Sequence, residues 1–523
     1  MKHFRASSFL PRRGAAVALL AFSLSLSAFP ADWLTYGHDP QRTGWAFEET
    51  KLSPATAGQL GLKWKVKLAS DSYRLSAVTA PVVASGVGTG HGVRSVVYVA
   101  GIAGTVFALD AETGEELWTH TFKYVVLPGK GGYQGTFLCP NGITATPVID
   151  RGTNILYVVA GDGALYGLDL GTGGVRYGPV QLVAPYAKSW SLNLVNGVLY
   201  TVLAQGCGNG LSGFYSIDVR DAHHPVIRQM LLSNTNTAGI WGRGGAIAGD
   251  NGRIYGSTAD GKFDPIAGDY SNSVVSASMP ELKLLDYFLP LNWTHLQHRD
   301  LDLGASSPVY FGWRNRKLIA SGAKEAVVSL LDAGSLGGGD HQATLYTSPK
   351  LGNDDDVCCT GLGIWGGLST ARDLSGQTWL FVPMGGPPSK DGLKFPITNG
   401  ETPHGSVMAF KVVADPQTQN PVLEPAWISE DFNLPDPVVI ANGVVFGLST
   451  GENAVQHGGQ DKRLLNTRPA VLRALDAATG KELYNSGSAM SSWVHFSGLA
   501  VADARVFAVD HDSNVYCFGL AAK

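Results

Sequence analysis

Short runs in which apolar and polar residues alternate with a period of two fill most of the chain, and Gly, Asn and Asp clusters punctuate them. The clearest unit is Gly104 to Trp118. Val106, Ala108 and the following Asp110 alternate as a strand, Asp-Ala-Glu-Thr-Gly forms a tight turn, and Glu116-Leu117-Trp118 begins the return strand. Near-copies stand at Gly163 to Gly173 and at Val471 to Leu483. One such hairpin cannot bury its own apolar face, so repetition predicts a radial or solenoid array of strands.

Counting an apolar strand, a Gly/Asn turn, a second apolar strand and an aspartate turn gives eight units, with seven as the alternative. The first runs from Leu62 to about Phe122, the second from Ile143 to about Leu182, and the third from near Ser189 to Leu232 with Asn196-Gly197 as its hairpin turn. The fourth spans Gly244 to Pro290, the fifth starts at Gly304 and reaches its aspartate turn at Asp332, and the sixth contains Trp379 to Pro383 and Gly405 to Phe410. The seventh runs from Pro437 to Tyr484 and the eighth from Phe496 to Phe518. The predicted fold is all-β, an eight-bladed β-propeller in which a strand from the lead-in completes the last blade and leaves no open edge. Inserts interrupt the pattern at Lys123 to Cys139, Pro265 to Leu303, Gly337 to Gly363 and Gly385 to Pro403, and these are where function is expected.

Composition narrows the function. The 66 glycines and 27 prolines suit a turn-rich β-chain, while 16% charged residues and a net charge of -4 give no basic field for nucleic acid. Lys2, Arg5, Arg12 and Arg13, then an apolar run from Ala15 to Phe29 and the small residues before Asp32, read as a secretory signal over residues 1–31. The remainder, 32–523, is then a single domain, periplasmic or secreted, with no membrane span. The five cysteines include no CxxC or CxxCH spacing, which removes zinc ribbons and covalent haem. Cys358-Cys359 is either a vicinal disulfide or a pair of thiols in a turn.

The Ala-Leu-Asp-Ala-x-Thr-Gly-x-x-Leu-Trp pattern of the repeat resembles that of the pyrroloquinoline-quinone (PQQ) propellers, the quinoprotein alcohol dehydrogenases. Ile240-Trp-Gly242, Ile254 to Gly261 and Asp300-Leu-Asp-Leu-Gly304 follow the order in which that family presents a tryptophan floor, a metal ligand and a catalytic aspartate. The resemblance implies that Trp241 lies under the quinone, that Asp260 binds calcium or a lanthanide where the family uses asparagine, and that Asp302 is the catalytic base. Asp300 falls where lanthanide-using members add a ligand. On a strand, positions two apart face the same way, so Asp300 and Asp302 are expected to share one cavity and to need a cation or a shared proton. Lys324 matches the basic residue directed at the quinone oxygens. Thr144 and Thr146 match residues that bond the cofactor carboxylates or cap a turn, and Trp365 is carried over to the cofactor pocket.

The sequence departs from the family where a glutamate should reach the metal. Ala204 to Gly210 contains no acid, leaving Gln205 or Asn209 to substitute. Two functions follow from the resemblance. One is an exported oxidoreductase that oxidises a small or polymeric alcohol with PQQ and a metal ion and passes electrons to a separate cytochrome. The other is a non-catalytic propeller that binds a ligand or protein.

Overall fold

The computed structural model describes residues 1–3, 31–123, 138–140, 142–457, 460–495 and 497–521, so the expected signal segment lies almost wholly outside it, as does Phe496. The chain is nearly all β, and among the described residues eight sheets of four to six strands form a closed propeller. Blade one contains Val82–Thr89, Gly92–Ala100, Thr105–Asp110 and Glu116–Thr121 in that order. The other blades repeat it, and in each the first strand touches the first strand of the next. Blade eight touches blade one, which closes the ring.

Local chemistry explains why the repeat folds this way. Asp110 Oδ1 accepts from the backbone N–H groups of Glu112 and Thr113, Asp169 does the same for Gly171 and Thr172, and Asp476 for Ala478 and Thr479. The glycine four residues after each aspartate takes a positive φ and lies beneath a tryptophan of the preceding blade, where a Cβ would collide with the ring. Those tryptophans dock blade to blade: the indole N–H of Trp118 donates to Leu170 O at 2.9 Å and that of Trp427 to Ala477 O at 2.9 Å.

The expected closure is present, with one correction. Leu60–Lys67 does not open blade one but pairs antiparallel with Asn514–Leu520, completing blade eight after Ala500–Ala502 and Arg505–Val509. The alternation of Leu62, Trp64 and Val66 suits either blade, and only the distant partner strand decides between them.

The lead-in is a hub. Residues 33–44 run around the inner wall and hydrogen-bond seven blades in sequence. Trp33 pairs with Val83 and Leu34 O accepts from Ile149; Thr35 Oγ1 donates to Leu192 O; Pro40 O accepts from Ala248, Gln41 O from Tyr310, Thr43 O from Thr370 and Gly44 O from Ile440. The inner strands would otherwise leave backbone groups unpaired in the channel, and this turn-rich segment satisfies them. Arg42 is 3% exposed at its centre, donating to Gly244 O, Leu192 O, Tyr36 O and Thr35 Oγ1.

Two short helices stand outside the blades: α1, Trp293–Arg299, and α2, Gln460–Leu465. Both belong to loops around a central cavity.

Candidate functional site

Loops that connect blade strands enclose a cavity of about 420 Å³. Gln205 enters from the loop after Val198–Ala204, Asp260 from the loop after Arg253–Ser257, and Lys324 from two residues past Arg316–Gly322. Trp241, Asp300, Asp302 and Trp365 line the same space. The structure brings these residues to one cavity, although the backbone that does so is not a strand.

Asp300 caps α1 in the left-handed conformation, φ 54°, and Asp302 follows at the start of a short turn, Leu303–Ala305. That corrects the strand expectation: the two acids converge because an αL residue reverses the chain between them. Lys324 joins them. Its ammonium donates to Asp302 Oδ2 at 2.6 Å, to Asp300 Oδ1 at 3.2 Å and to Asp300 O at 3.0 Å. Burial alone would lower the pKa of Lys324, but Asp302 and Asp300 outweigh it and hold the ammonium above its usual value. Burial pushes the Asp302 carboxyl up to about 6, with Lys324 opposing and Asp300 and Asp260 adding to the rise. Burial, then Asp300, also raises Asp260, whose backbone N–H bonds Asp302 Oδ1 at 3.2 Å.

The Lys324 ammonium lies 5.4 Å from the Trp241 ring centroid and 5.1 Å from that of Trp365, and the two rings are tilted by 55° at 5.8 Å. These aromatic faces wall the cation on its apolar side. Gln205 Oε1 is buried with no hydrogen-bond partner among the described residues, at the position where an acid was missed.

The opposite end of the cavity is basic, and the sequence did not reveal it. Lys188 and Arg243 flank the Trp190 ring at 4.8 Å and 4.7 Å, and Lys188 pairs with no carboxylate among the described residues. Burial, then Arg243 and Arg463, drives the Lys188 amine well below its usual pKa. Beside them, Glu452 binds Arg463 and His495, with His495 Nδ1 at 2.9 Å. Burial would raise Glu452, but His495 and Arg463 hold it at about 2, while burial drops His495 to about 4. These groups come from separate blades and loops, so no local spacing could have signalled them.

Thr144 and Thr146 stand apart from this space. They line a narrow cleft beside Lys188 and Trp190, and the Thr144 hydroxyl is spent on Ser189 O at 2.7 Å. Of the two readings open for Cys358-Cys359, the structure has the pair of thiols, and it adds a disulfide the sequence did not suggest. The disulfide joins Cys139 to Cys207, two residues from Gln205, and Cys358 and Cys359 are free thiols. Closing that loop fixes the backbone that carries Gln205.

Beneath the basic end, Asp436 is fully buried. Gly498 N–H donates to its Oδ2 at 2.9 Å and its Oδ1 has no partner among the described residues. Burial raises its pKa to about 7. The folded state therefore holds a proton that the unfolded chain gives up near its ordinary value, so this stability is complete below about pH 4 and lost as pH rises through 7, up to about 4 kcal/mol. Melting curves of the protein and Asp436→Asn should coincide in relative position at acid pH and diverge in favour of the variant above pH 7; curves that stay parallel would refute the assignment.

The fold and repeat point to one class, the PQQ-repeat propellers. Residues 51–218 match the family described as outer membrane protein assembly factor BamB. A 1-butanol dehydrogenase (cytochrome c) from Thauera butanivorans is 29% identical over 171 residues, which cover 31% of this chain and 21% of that protein. Among solved structures, quinohemoprotein alcohol dehydrogenase from Comamonas testosteroni superposes with TM-score 0.57 at 14% identity, covering 94% of this chain and 81% of its own. A europium-containing methanol dehydrogenase gives 0.58 at 10% identity, over 94% and 98%. The chain resembles the PQQ propeller family, and its fold is that of the quinoprotein alcohol dehydrogenases.

Proposed function

We propose that the protein is an exported quinoprotein that oxidises an alcohol and hands the electrons to a separate cytochrome. The observation that carries this reading is the two-ended cavity: a buried Asp302–Lys324 pair at one end and the uncompensated Lys188 with Arg243 at the other. The signal-like residues 2–31 support export, and no helix among the described residues is long and apolar enough to cross a membrane.

The donors present fit the implied groups. Gln205 Oε1, unpartnered, with the carboxylates of Asp260 and Asp302, is an all-oxygen set suited to calcium or a lanthanide. Asp300 is held at the rim by Lys324 and Cys359, available as an added ligand. Lys188 and Arg243 suit the carboxylates of PQQ, and a cavity of about 420 Å³ is within the usual ligand range of roughly 300–1,000 Å³. When bound, the quinone supplies a two-electron acceptor.

The chain's own residues would divide the work. Asp302 takes the hydroxyl proton of the alcohol, with its pKa of about 6 placing it as a carboxylate at neutral pH. Lys324 keeps that carboxylate in place, and Trp241 and Trp365 exclude water around it. Purified protein incubated with PQQ and calcium or lanthanum should show a shifted quinone absorbance that alcohol then bleaches. No shift with either ion would favour the alternative, a non-catalytic binding propeller, which the missing glutamate in Ala204 to Gly210 supports.

A further inference from the structure

Among the described residues, one group of three metal-capable side chains gathers its ligand atoms within 4.8 Å of one another: Asp300, Cys358 and Cys359. Cys359 Sγ lies 3.0 Å from Asp300 Oδ2 and 2.6 Å from Cys358 Sγ. We propose that this cluster is a binding site for a thiophilic divalent cation of the zinc or cadmium class, distinct from the oxygen donors Gln205, Asp260 and Asp302 that line the cavity.

Donor chemistry separates the two. Gln205, Asp260 and Asp302 offer only oxygen, which hard cations prefer, whereas two thiolates select soft ions. Charge also favours the ion: two thiolates and one carboxylate carry three negative charges, and a divalent cation cancels two of them. Binding forms two metal–sulfur bonds and one metal–oxygen bond, releases both thiol protons to solvent and transfers no electrons.

The loop that carries the site is also anchored before any ion arrives, although the two sulfurs, 2.6 Å apart, must separate to about 3.8 Å for tetrahedral ligation. The loop that carries the cysteines is pinned to α1, because Arg299 donates to the carbonyls of Asp355 and Asp356 and His295 Nε2 lies 3.0 Å from Asp356 Oδ2. On its other side, Asn353 Nδ2 donates to Lys324 O at 2.8 Å and Asn353 Oδ1 accepts from Val357 N at 3.0 Å. Fixed second partners of this kind set ligand geometry. Both cysteines are partly exposed, so an ion can enter from solvent.

Cadmium added to the full chain under mild reduction should bind as one ion per chain with a thiolate-to-metal charge-transfer band and two protons released. Cys359→Ser should weaken binding by more than the roughly 10–100-fold that loss of an outer partner costs, and Asp300→Asn should weaken it less and keep the band. No band, a band unchanged in the Cys358→Ser/Cys359→Ser variant, or a Cys358–Cys359 bond that persists under the same reduction would overturn the proposal. The readout involves no quinone, so failure of PQQ reconstitution leaves it intact and its own failure leaves the quinone reading intact.

Discussion

Asp302→Asn should lower alcohol-dependent reduction of the reconstituted quinone by about 10²–10⁴-fold, the usual worth of a positioned general base. An amide cannot take the hydroxyl proton at neutral pH; its single oxygen can keep the Lys324 bond now made by Oδ2, while its NH2 gives up the 3.2 Å bond from the Asp260 N–H. Lys324 also keeps Asp300, so the variant should stay folded. The loss should fall on kcat with little change in quinone affinity, because the basic end around Lys188 and Arg243 is untouched. A variant that turns over at a normal rate would remove Asp302 from the chemistry and leave it as the counter-ion of Lys324.

The second large effect is structural. Arg42→Ala should lower stability by about 3–5 kcal/mol, since several buried acceptors lose a charged donor at roughly 1–3 kcal/mol each. The guanidinium donates to three buried carbonyls, those of Gly244, Leu192 and Tyr36, and to the Thr35 hydroxyl; alanine removes a charged donor from each, leaving Leu192 O and Thr35 Oγ1 only the bond between them. The melting temperature should fall by several degrees, and Arg42→Lys should recover only part of it, since one ammonium cannot reach acceptors on opposite sides of the hub. A variant that melts with the parent would show that the backbone bonds of residues 33–44 hold the hub without the arginine.

The hub had no signature of its own. Leu34 to Gly44 is merely polar and turn-rich, and its role depends on inner strands that lie up to four hundred residues away. The same reasoning explains the misassigned Leu60–Lys67, whose alternation fits blade one as well as blade eight. Asp300 and Asp302 show the reverse case, in which the right grouping came from the wrong backbone: a period of two suggested a strand, whereas the αL cap of α1 brings the acids together. Gln205 was named only as a substitute for a missing glutamate, and its unpartnered oxygen became visible only once the cavity was assembled.

The sequence by itself determined the blades, because each blade is written in local terms: an alternating strand, an aspartate whose side chain bonds the backbone two and three residues on, a glycine that must take positive φ, and a tryptophan that sits on the next such glycine. It also determined the order of Trp241, Asp260, Asp302 and Lys324 along the ring. Tertiary structure decided the rest. It chose which strand closes the last blade, paired Cys139 with Cys207, set Lys324 between two carboxylates, and built the basic end from Lys188, Arg243 and Arg463 on three distant segments. Those are contacts between residues far apart in the chain, and their free energy comes from burial and charge in a shared cavity, which no local spacing encodes.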